Sequence, residues 1–386
     1  MKIVLDARWI FREISGVGAC TRELAARLPR LDPENEYILL FNDEGLRERT
    51  LEETGLSDTP NVRAMVVPYG PFSLRNQSAM PFLLSRIGAD IFHSTNYMIP
   101  LAPFPRRRRG RTAAVVTVHD VIPLLFRDHA PRSRKSRMFP IYRRLMIEIG
   151  MRADRIITVS EASMRDVIRE MGIAEPGKVR AIHNGVSELF LKAPRAARSP
   201  SREPVVLYVG RMDPYKNVGM LVRALDILRR EHHIDTRLVI VGPPDPRYPE
   251  TRQLAMNLGL DRSIRWTGYI SDDSLPDLYR EADVLAHPSR YEGFGLQVLE
   301  AMAIGLPVVC TDAGALPEVT GNAAIRTKPD DTPGFAAALA RVLTQPALAR
   351  SMAESGLRRA ADFTWNKTAA ATLDVYRELA AGEEGQ

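Results

Sequence analysis

Two glutamates stand eight residues apart in an otherwise apolar stretch in the second half of the chain. The stretch is RYEGFGLQVLE, residues 290–300, and the apolar segment AMAIGLPVVC follows it. Glycines precede residues of helix-forming composition that run to position 304, so we expect Glu292 in a loop and Glu300 on the following helix. N–H groups in the first turn of that helix suit an anion. The two carboxylates suit sugar hydroxyls, although Glu300 can alternatively be an exposed helical residue.

Two basic residues follow an apolar run in the same half of the chain. The run VVLYV, residues 205–209, is predicted to be a strand and leads into Arg211, and Lys216 comes five residues later in GRMDPYKN. A pair of cations where a parallel strand ends is well placed to neutralise a diphosphate. Taken alone, the pair can equally be two surface cations beside a turn.

The first half of the chain contributes a glycine loop and a histidine. Gly16 and Gly18 lie in SGVG, between the first strand and the first helix, where glycine lets the backbone approach a ligand closely. The loop lacks the G-x-G-x-x-G spacing of dinucleotide-binding dehydrogenases, which disfavours that class. His119 ends the strand AAVVTVHD. A lone histidine is most often structural, but its place at a strand's carboxyl end favours a role at a ligand.

Short apolar runs alternate with helix-period segments along almost the whole chain. Examples are KIVLDAR before GACTRELAARL, and VVLYVGR before VGMLVRALDILRRE. This alternation predicts an α/β architecture with parallel sheets and crossover helices. The stretch 192–204 is rich in Pro, Arg and Ser, lacks periodicity and is interpreted as a linker. We therefore predict two doubly wound, Rossmann-like domains facing across a cleft, at 1–191 and 205–362, with a final helical segment at 363–386.

Length and composition are typical of a globular protein with two domains. The chain has 386 residues, of which 45% are hydrophobic and 26% charged. Cys20 and Cys310 form no metal-binding or disulfide pattern, which favours a reducing compartment. Neither a signal peptide nor a spanning helix is predicted, so we expect a cytoplasmic protein. No Asp-x-Asp pair occurs and no His/Cys cluster has ligand spacing, so no bound metal is expected.

Basic residues are concentrated in the segment 106–144, although the net charge of the whole chain is only +6. The segment has twelve basic residues against two acidic ones, and it includes RRRRGR. Such a patch favours an anionic partner, either a membrane surface or a phosphorylated ligand. The alternatives are a solvated arginine-rich loop and a nucleic-acid contact. The basic and partly apolar part at 127–147 suits docking to an anionic bilayer.

Taken in order, the motifs of the chain resemble those of the retaining, nucleotide-sugar-dependent glycosyltransferases of the two-Rossmann-domain (GT-B) fold, called family four or group one. The resemblance covers essentially the whole chain. Its motifs are SGVGACTREL, TVHD, TVSEAS, AIHNGV, YVGRMDPYKN, VIVGPPD, the stretch from WTGYIS to GLPVV, and GALPEV. The start of the chain is most similar to members that build bacterial O-antigens and other surface polysaccharides, often with GDP-mannose.

The resemblance implies a role for each motif residue. Arg211 and Lys216 match the pair that holds the donor diphosphate. Glu292 and Glu300 match a Glu-x7-Glu signature, with the first at the transferred sugar and the second at the ribose hydroxyls. His119 matches a histidine beside the sugar that orients a hydroxyl and supports developing positive charge. Backbone contacts to the donor are implied for Phe294, Gly295, Leu296, Gly16 and Gly18.

One departure from the pattern concerns the glycine loop. Gly-Val-Gly stands where many relatives have Gly-Gly, which leaves open whether Gly16 or Gly18 approaches the phosphate. The C-terminal helix of the family typically crosses back to the first domain, and the segment 363–386 is expected to do so.

The implied reaction moves a hexose from a GDP- or UDP-linked sugar to a glycan or polyprenyl-diphosphate-linked acceptor. It retains the anomeric configuration, and the leaving diphosphate itself takes the acceptor's proton. No metal or other cofactor is implied. A nucleotide-sugar 2-epimerase of the same architecture is the alternative. A glycan phosphorylase needs a pyridoxal phosphate lysine and a longer chain, and a nucleic-acid binder leaves the charged site residues unused, so neither is favoured.

Overall fold

The computed structural model describes residues 1–12, 15–106, 110–126, 132, 137–192 and 203–384, with side chains up to residue 381. Most of the predicted linker at 192–204, and much of the basic segment at 106–144, lie outside the described residues. Contacts group the chain into two compact units. The first combines Met1–Val121, Phe139–Gly185 and Thr364–Gln386, and the second combines Ile122–Met138 and Val186–Phe363.

The first unit is built on a parallel sheet that has seven strands among the described residues. The strand order is β3-β2-β1-β4-β5-β6-β7. All six residues of β5 are buried, as expected for a strand that helices cover on both faces. The strands are β1 (Lys2–Asp6), β2 (Glu36–Phe41), β3 (Val62–Val66), β4 (Ile91–Ser94), β5 (Ala113–Val118), β6 (Arg155–Thr158) and β7 (Val179–Ala181).

Helices connect these strands and cover the sheet. The first helix begins after Ser15, whose side chain accepts a hydrogen bond from the Gly18 N–H and caps the helix. The helices of the first unit are α1 (Gly16–Leu31), α2 (Glu44–Thr54), α3 (Leu74–Ile87), α5 (Phe139–Arg152), α6 (Glu161–Glu170) and α15 (Trp365–Glu384), while α4 (Ile122–Leu125) groups with the second unit.

The second unit has a six-stranded parallel sheet in its described part, with the order β10-β9-β8-β11-β12-β13. Its strands are β8 (Val205–Val209), β9 (Arg237–Val241), β10 (Ile264–Gly268), β11 (Val284–His287), β12 (Val308–Thr311) and β13 (Ile325–Thr327). Its further helices are α7 (Glu188–Leu191), α8 (Val218–Arg230), α9 (Glu250–Asn257), α10 (Leu275–Glu281), α11 (Leu296–Ile304), α12 (Leu316–Thr320), α13 (Thr332–Thr344) and α14 (Pro346–Ala360).

The predicted α/β class with two doubly wound parallel sheets is confirmed. The division of the chain differs from the boundaries expected from the sequence. Described residues of 122–138 and residues 186–191 group with the second unit, whereas the sequence prediction placed both stretches in the first domain.

The C-terminal helix α15 belongs to the first unit and packs on α1. Its buried Tyr376 hydroxyl hydrogen-bonds to His93 Nδ1, and His93 Nε2 lies 2.9 Å from the Thr117 hydroxyl. Burial, with a smaller effect of the nearby His119, lowers the pKa of His93 to about 3. His93 is therefore a neutral, fully partnered residue that ties α15 to strands β4 and β5.

Candidate active site

The candidate site lies at the carboxyl edge of the second unit's sheet, where β8 and β11 are neighbours. The strand order reverses here, because β9 lies beyond β8 on one side and β12 beyond β11 on the other. Loops that leave such a pair of strands diverge and open a crevice for ligands. The loop after β8 carries Arg211 and Lys216, and the loop after β11 carries Glu292.

Lys216 and Glu292 form a buried ion pair that joins these two loops. Lys216 Nζ lies 2.7 Å from Glu292 Oε1 and 2.9 Å from Oε2, and the side chains are 10% and 8% exposed. Burial opposes the charge on Lys216, but attraction to Glu292, with smaller effects of Tyr215 and Tyr208, raises its pKa. Burial likewise opposes the charge on Glu292, but Lys216 and His287 lower its pKa. Both groups are therefore charged.

His287 is a third member of this cluster. Its ring is fully buried at the end of β11, and its Nε2 atom lies 2.7 Å from Glu292 Oε1. The Tyr208 ring stacks beside it, with 6.3 Å between ring centroids and 20° between ring planes. The Tyr208 hydroxyl donates a hydrogen bond to the Arg211 carbonyl oxygen at 2.7 Å. The cluster therefore connects Glu292 to the exits of both strands.

The ion pair keeps hydrogen-bonding capacity for a ligand. An ammonium group has three N–H donors, and the contacts of Lys216 with Glu292 use two of them. A carboxylate has about four lone-pair sites. Lys216 and His287 occupy three of them, two on Oε1 and one on Oε2. Among the described contacts, one donor on Lys216 and one acceptor site on Glu292 Oε2 are left for a ligand.

Backbone contacts hold the Glu292 loop in place. The Ala315 N–H donates to the Glu292 carbonyl oxygen at 2.9 Å, and the Arg290 N–H donates to the Tyr215 carbonyl oxygen at 2.8 Å. Gly314 has φ +56°, and a Cβ atom there would lie 2.3 Å from the Glu292 carbonyl oxygen. Only glycine fits at position 314, because any side chain would collide with the backbone of the loop.

Helix α11 follows the loop and carries Glu300. Gly295, at φ +95°, precedes the first residue, Leu296, and gives the helix no side-chain cap, so first-turn N–H groups lack a capping side chain. Phe294 is buried and packs edge-on against Phe363, with 5.9 Å between centroids. The Phe294 ring therefore anchors the loop, and the Phe294 backbone lies next to the first turn of α11.

Glu300 is half-buried and points to a tyrosine of α10. Its Oε2 atom accepts a hydrogen bond from the Tyr279 hydroxyl at 2.7 Å. Burial raises the pKa of Glu300 to about 7, against the lowering effect of that hydrogen bond. Glu292 and Glu300 thus differ sharply: the first is a paired, ionised carboxylate, whereas burial of the second favours its protonated form.

Arg211 and Lys216 lie in different environments in the structure. The Arg211 side chain is 66% exposed, and its Nε atom lies 2.9 Å from Asp213 Oδ2. Lys216, in contrast, is buried against Glu292. The sequence interpretation treated the two cations alike, since spacing alone does not reveal which of them a carboxylate from another loop will bury.

The predicted residues of the first unit lie at the carboxyl edge of its own sheet. Gly16 and Gly18 form the first turn of α1. His119 follows β5 and is half-buried, with Nε2 at 2.9 Å from the Thr95 carbonyl oxygen. Burial lowers the pKa of His119, although Thr95 and Asp120 act in the opposite direction. His119 therefore offers a neutral imidazole, and its role at a ligand stays a prediction.

Sequence reasoning missed His287, Tyr208 and Tyr279. His287 ends a strand just as His119 does, in VLAHPS, so the same signal was present. Tyr208 and Tyr279 carry no such signal, because a tyrosine within a strand or helix is usually a core residue.

Among the described residues, no group of three or more His, Cys, Asp or Glu side chains could hold a metal ion. No helix among them is long and apolar enough to cross a bilayer.

Both halves of the chain match families of known proteins. Residues 14–188 match Glycosyltransferase Family 4, and residues 190–359 match Glycosyl transferases group 1. O-antigen chain mannosyltransferase B of Escherichia coli is 27% identical over 400 residues, covering 98% of this chain and all of that protein. A D-inositol 3-phosphate glycosyltransferase of Streptomyces bingchenggensis (strain BCW-1) is 33% identical over 401 residues, covering 96% of this chain and 86% of the relative.

The fold is also found in solved structures. Anabaena Alr3699/HepE in complex with UDP and glucose superposes with a TM-score of 0.73 at 20% identity, covering 98% of this chain and all of that chain. The two doubly wound parallel sheets, together with the matches of both halves of the chain, identify a glycosyltransferase of the GT-B fold. The chain belongs to family 4 of these enzymes, the group 1 glycosyl transferases. The matches are transferases and do not support the 2-epimerase alternative.

The buried ion pair predicts strongly non-additive effects on stability. Lys216→Met or Glu292→Gln alone breaks the pair, and we expect Lys216→Met, which leaves a buried carboxylate without its cation, to cost about 3–5 kcal/mol of unfolding free energy. The double variant leaves neither charge, so its loss of unfolding free energy should be clearly smaller than the sum of the losses of the two single variants. Urea denaturation measures this coupling. The exposed pair Arg49–Glu53 is the control, with an expected coupling below about 1 kcal/mol. Additive losses at Lys216 and Glu292 would contradict the burial of the pair.

The raised pKa of Glu300 predicts a pH-dependent effect of Glu300→Gln. The folded pKa of about 7 lies above the ordinary 4.5, so the wild-type protein loses stability as pH rises from 5 to 8. The glutamine side chain of the variant cannot ionise and still accepts the Tyr279 hydrogen bond. The difference in melting temperature, variant minus wild type, should therefore be more positive at pH 8 than at pH 5, by about 2 °C or more. Glu354→Gln, at an exposed site on α14, is the control. An equal difference at both pH values rules out this origin.

Proposed function

We propose that this glycosyltransferase moves a hexose, with mannose from GDP-mannose as the first candidate, to a glycan or polyprenyl-diphosphate-linked acceptor with retention of configuration. The observation that carries the proposal is the charged cluster of Lys216, Glu292 and His287. It keeps one N–H group of the Lys216 ammonium and one lone-pair site of the Glu292 carboxylate for hydrogen bonds to a ligand. The similarity to an O-antigen chain mannosyltransferase supports the choice of mannose and of surface-polysaccharide synthesis.

In the proposed mechanism, the charges of the second unit hold the donor. Arg211, Lys216 and the first-turn N–H groups beside Gly295 and Leu296 bind the diphosphate and stabilise the charge that builds on it as it leaves. Glu300 binds the ribose hydroxyls. No metal or other cofactor takes part, because these cations and N–H groups neutralise the diphosphate.

Glu292 holds a hydroxyl of the transferred sugar through Oε2. Its carboxylate is engaged by Lys216 and His287, and its pKa is lowered, so it is a poor general base. The leaving diphosphate therefore takes the acceptor's proton on the same face of the sugar, which gives retention. The proposed role of His119, as a neutral imidazole, is to orient a sugar hydroxyl, and the proposed role of the Gly16–Gly18 loop is to contact the diphosphate.

A donor screen tests this proposal. We expect GDP-mannose to raise the melting temperature more than other GDP- and UDP-sugars, because a specific ligand stabilises the folded state by mass action. Transfer to α-mannoside acceptors should proceed in EDTA and give an α-linked product by proton NMR. Glu292→Gln should slow transfer by about a hundredfold or more while remaining folded. A β-linked product, or no transfer from any donor, contradicts the proposal.

The proposal places the protein in the cytoplasm, on the anionic face of the inner membrane where polyprenyl-linked acceptors reside. Among the described residues of 106–144, the first turn of α5 carries Ile141, which is 62% exposed, and the exposed Arg143 and Arg144 follow it. An apolar side chain flanked by arginines suits an anionic bilayer. Nucleic acid is not a proposed partner, because it would leave the charged cluster of the second unit without a role.

Vesicle co-sedimentation tests the membrane contact. Arg143→Gln with Arg144→Gln should weaken binding to vesicles containing phosphatidylglycerol by roughly tenfold or more, since each basic residue contributes about 1 kcal/mol near such a surface. Arg350→Gln with Arg358→Gln, at exposed positions of α14, removes the same charge and should change little. Binding that is independent of salt or anionic lipid contradicts membrane docking.

A further inference from the structure

His287 is a fully buried titratable residue for which the proposed mechanism gives no step. It is the last residue of β11, and its exposure is 0%. A buried histidine in a sheet is often only a core residue. The nearest polar group to its ring, however, is the carboxylate of Glu292, at 2.7 Å from Nε2. The Ser289 hydroxyl lies farther away, at 3.3 Å from the same nitrogen.

The position of the proton on the ring follows from its neighbours. Glu292 is ionised, because Lys216 and His287 lower its pKa despite burial, so its oxygen accepts a hydrogen bond from His287. The proton therefore sits on Nε2. Nδ1 is buried and has no hydrogen-bond partner among the described residues. Burying an unprotonated Nδ1 without a partner costs less free energy than burying an unpaired N–H. The ring therefore has one N–H group, on Nε2, and donates it to Glu292.

The geometry of the carboxylate gives this hydrogen bond its importance. Oε1 accepts from both Lys216 and His287, whereas Oε2 accepts from Lys216 alone. A phosphate that binds near Lys216 competes for the N–H groups of the ammonium. The hydrogen bond from His287 is independent of that competition, because the position of the imidazole is fixed by other contacts. Tyr208 stacks beside the ring, and His287 is the last residue of strand β11.

We propose that His287 is a positioning residue that fixes the Glu292 carboxylate, through Oε1, when a donor phosphate draws Lys216 away. Oε2 then keeps its direction toward the sugar hydroxyl. The expected loss of turnover rests on the proposed function. The expected energetic coupling between His287 and Glu292 rests on the geometry alone.

The test is a double-mutant cycle with two readouts. His287→Leu removes the donor and keeps an apolar side chain, while His287→Gln keeps an N–H group at about the same distance from the backbone. Each is made in the wild-type chain and in Glu292→Gln. Cys310→Ala is the matched control, because Cys310 is fully buried and pairs with His287 in the β11–β12 register. Donor turnover with GDP-mannose and GDP affinity by calorimetry are measured for every variant.

We expect His287→Leu to lower turnover by about tenfold or more with GDP affinity changed by less than about threefold, since a small displacement of a positioned group is enough for such a loss. His287→Gln should restore most of the rate. In the Glu292→Gln chain, His287→Leu should cost less than about twofold, because the residue acts through that carboxylate. Cys310→Ala should lower stability without lowering turnover.

Equal losses from His287→Leu in both chains, no loss in either, or no recovery in His287→Gln overturns the positioning role. If the wild-type protein turns over no nucleotide sugar, the proposed function fails. The cycle is then read from urea denaturation, where additive effects of His287→Leu and Glu292→Gln overturn the inference by themselves.

Discussion

Burying Lys216 and Glu292 together is the constraint on which the rest of the second unit's site depends. Removing two charges from water is favourable only when their geometry is close and their remaining hydrogen-bonding sites are used. The pair meets the first of these conditions across 76 residues of chain, at 2.7 and 2.9 Å, and His287 uses a further lone-pair site of Glu292. Gly314 then has to lack a side chain so that the Glu292 loop can pack, and His287 supplies the hydrogen bond that Lys216 cannot. One ion pair thus dictates the residues of three neighbouring loops.

The first unit also has a buried ion pair at the strand-order reversal of its sheet. Its strand order reverses between β1 and β4, and β1 ends in Asp6, which pairs with Arg8 at 2.7 Å with both side chains fully buried. Arg8 also donates hydrogen bonds to the Tyr69 carbonyl oxygen and to Asn76 Oδ1. A buried pair at the reversal therefore orders the loops around it in each unit. The pair of the first unit is fully enclosed, whereas that of the second keeps sites for a ligand.

The two glutamates of the Glu-x7-Glu stretch illustrate how environment separates chemically identical groups. A cation and an imidazole surround Glu292, which keeps it ionised. Burial, together with the negative charge of Asp272, raises the pKa of Glu300 to about 7, although the hydrogen bond from the Tyr279 hydroxyl acts in the opposite direction. A site that needs one permanent anion and one adaptable hydrogen-bonding group obtains both from the same residue type. This difference supports two separate hydroxyl-binding roles rather than an acid and base couple.

The sequence by itself determined the alternation of strands and helices, the parallel sheets and the family, because hydrophobic period and strand-end motifs are local properties of the chain. It also located Arg211, Lys216 and Glu292 at strand exits, since a parallel sheet brings such exits to one edge. Only the tertiary structure decided that Lys216 pairs with Glu292 while Arg211 stays exposed on Asp213. It alone also brought His287 to the carboxylate. The pairing of Lys216 with Glu292 joins segments 76 residues apart, and the contact of His287 with Glu292 depends on the path of the loop between them, so no local pattern encodes either contact.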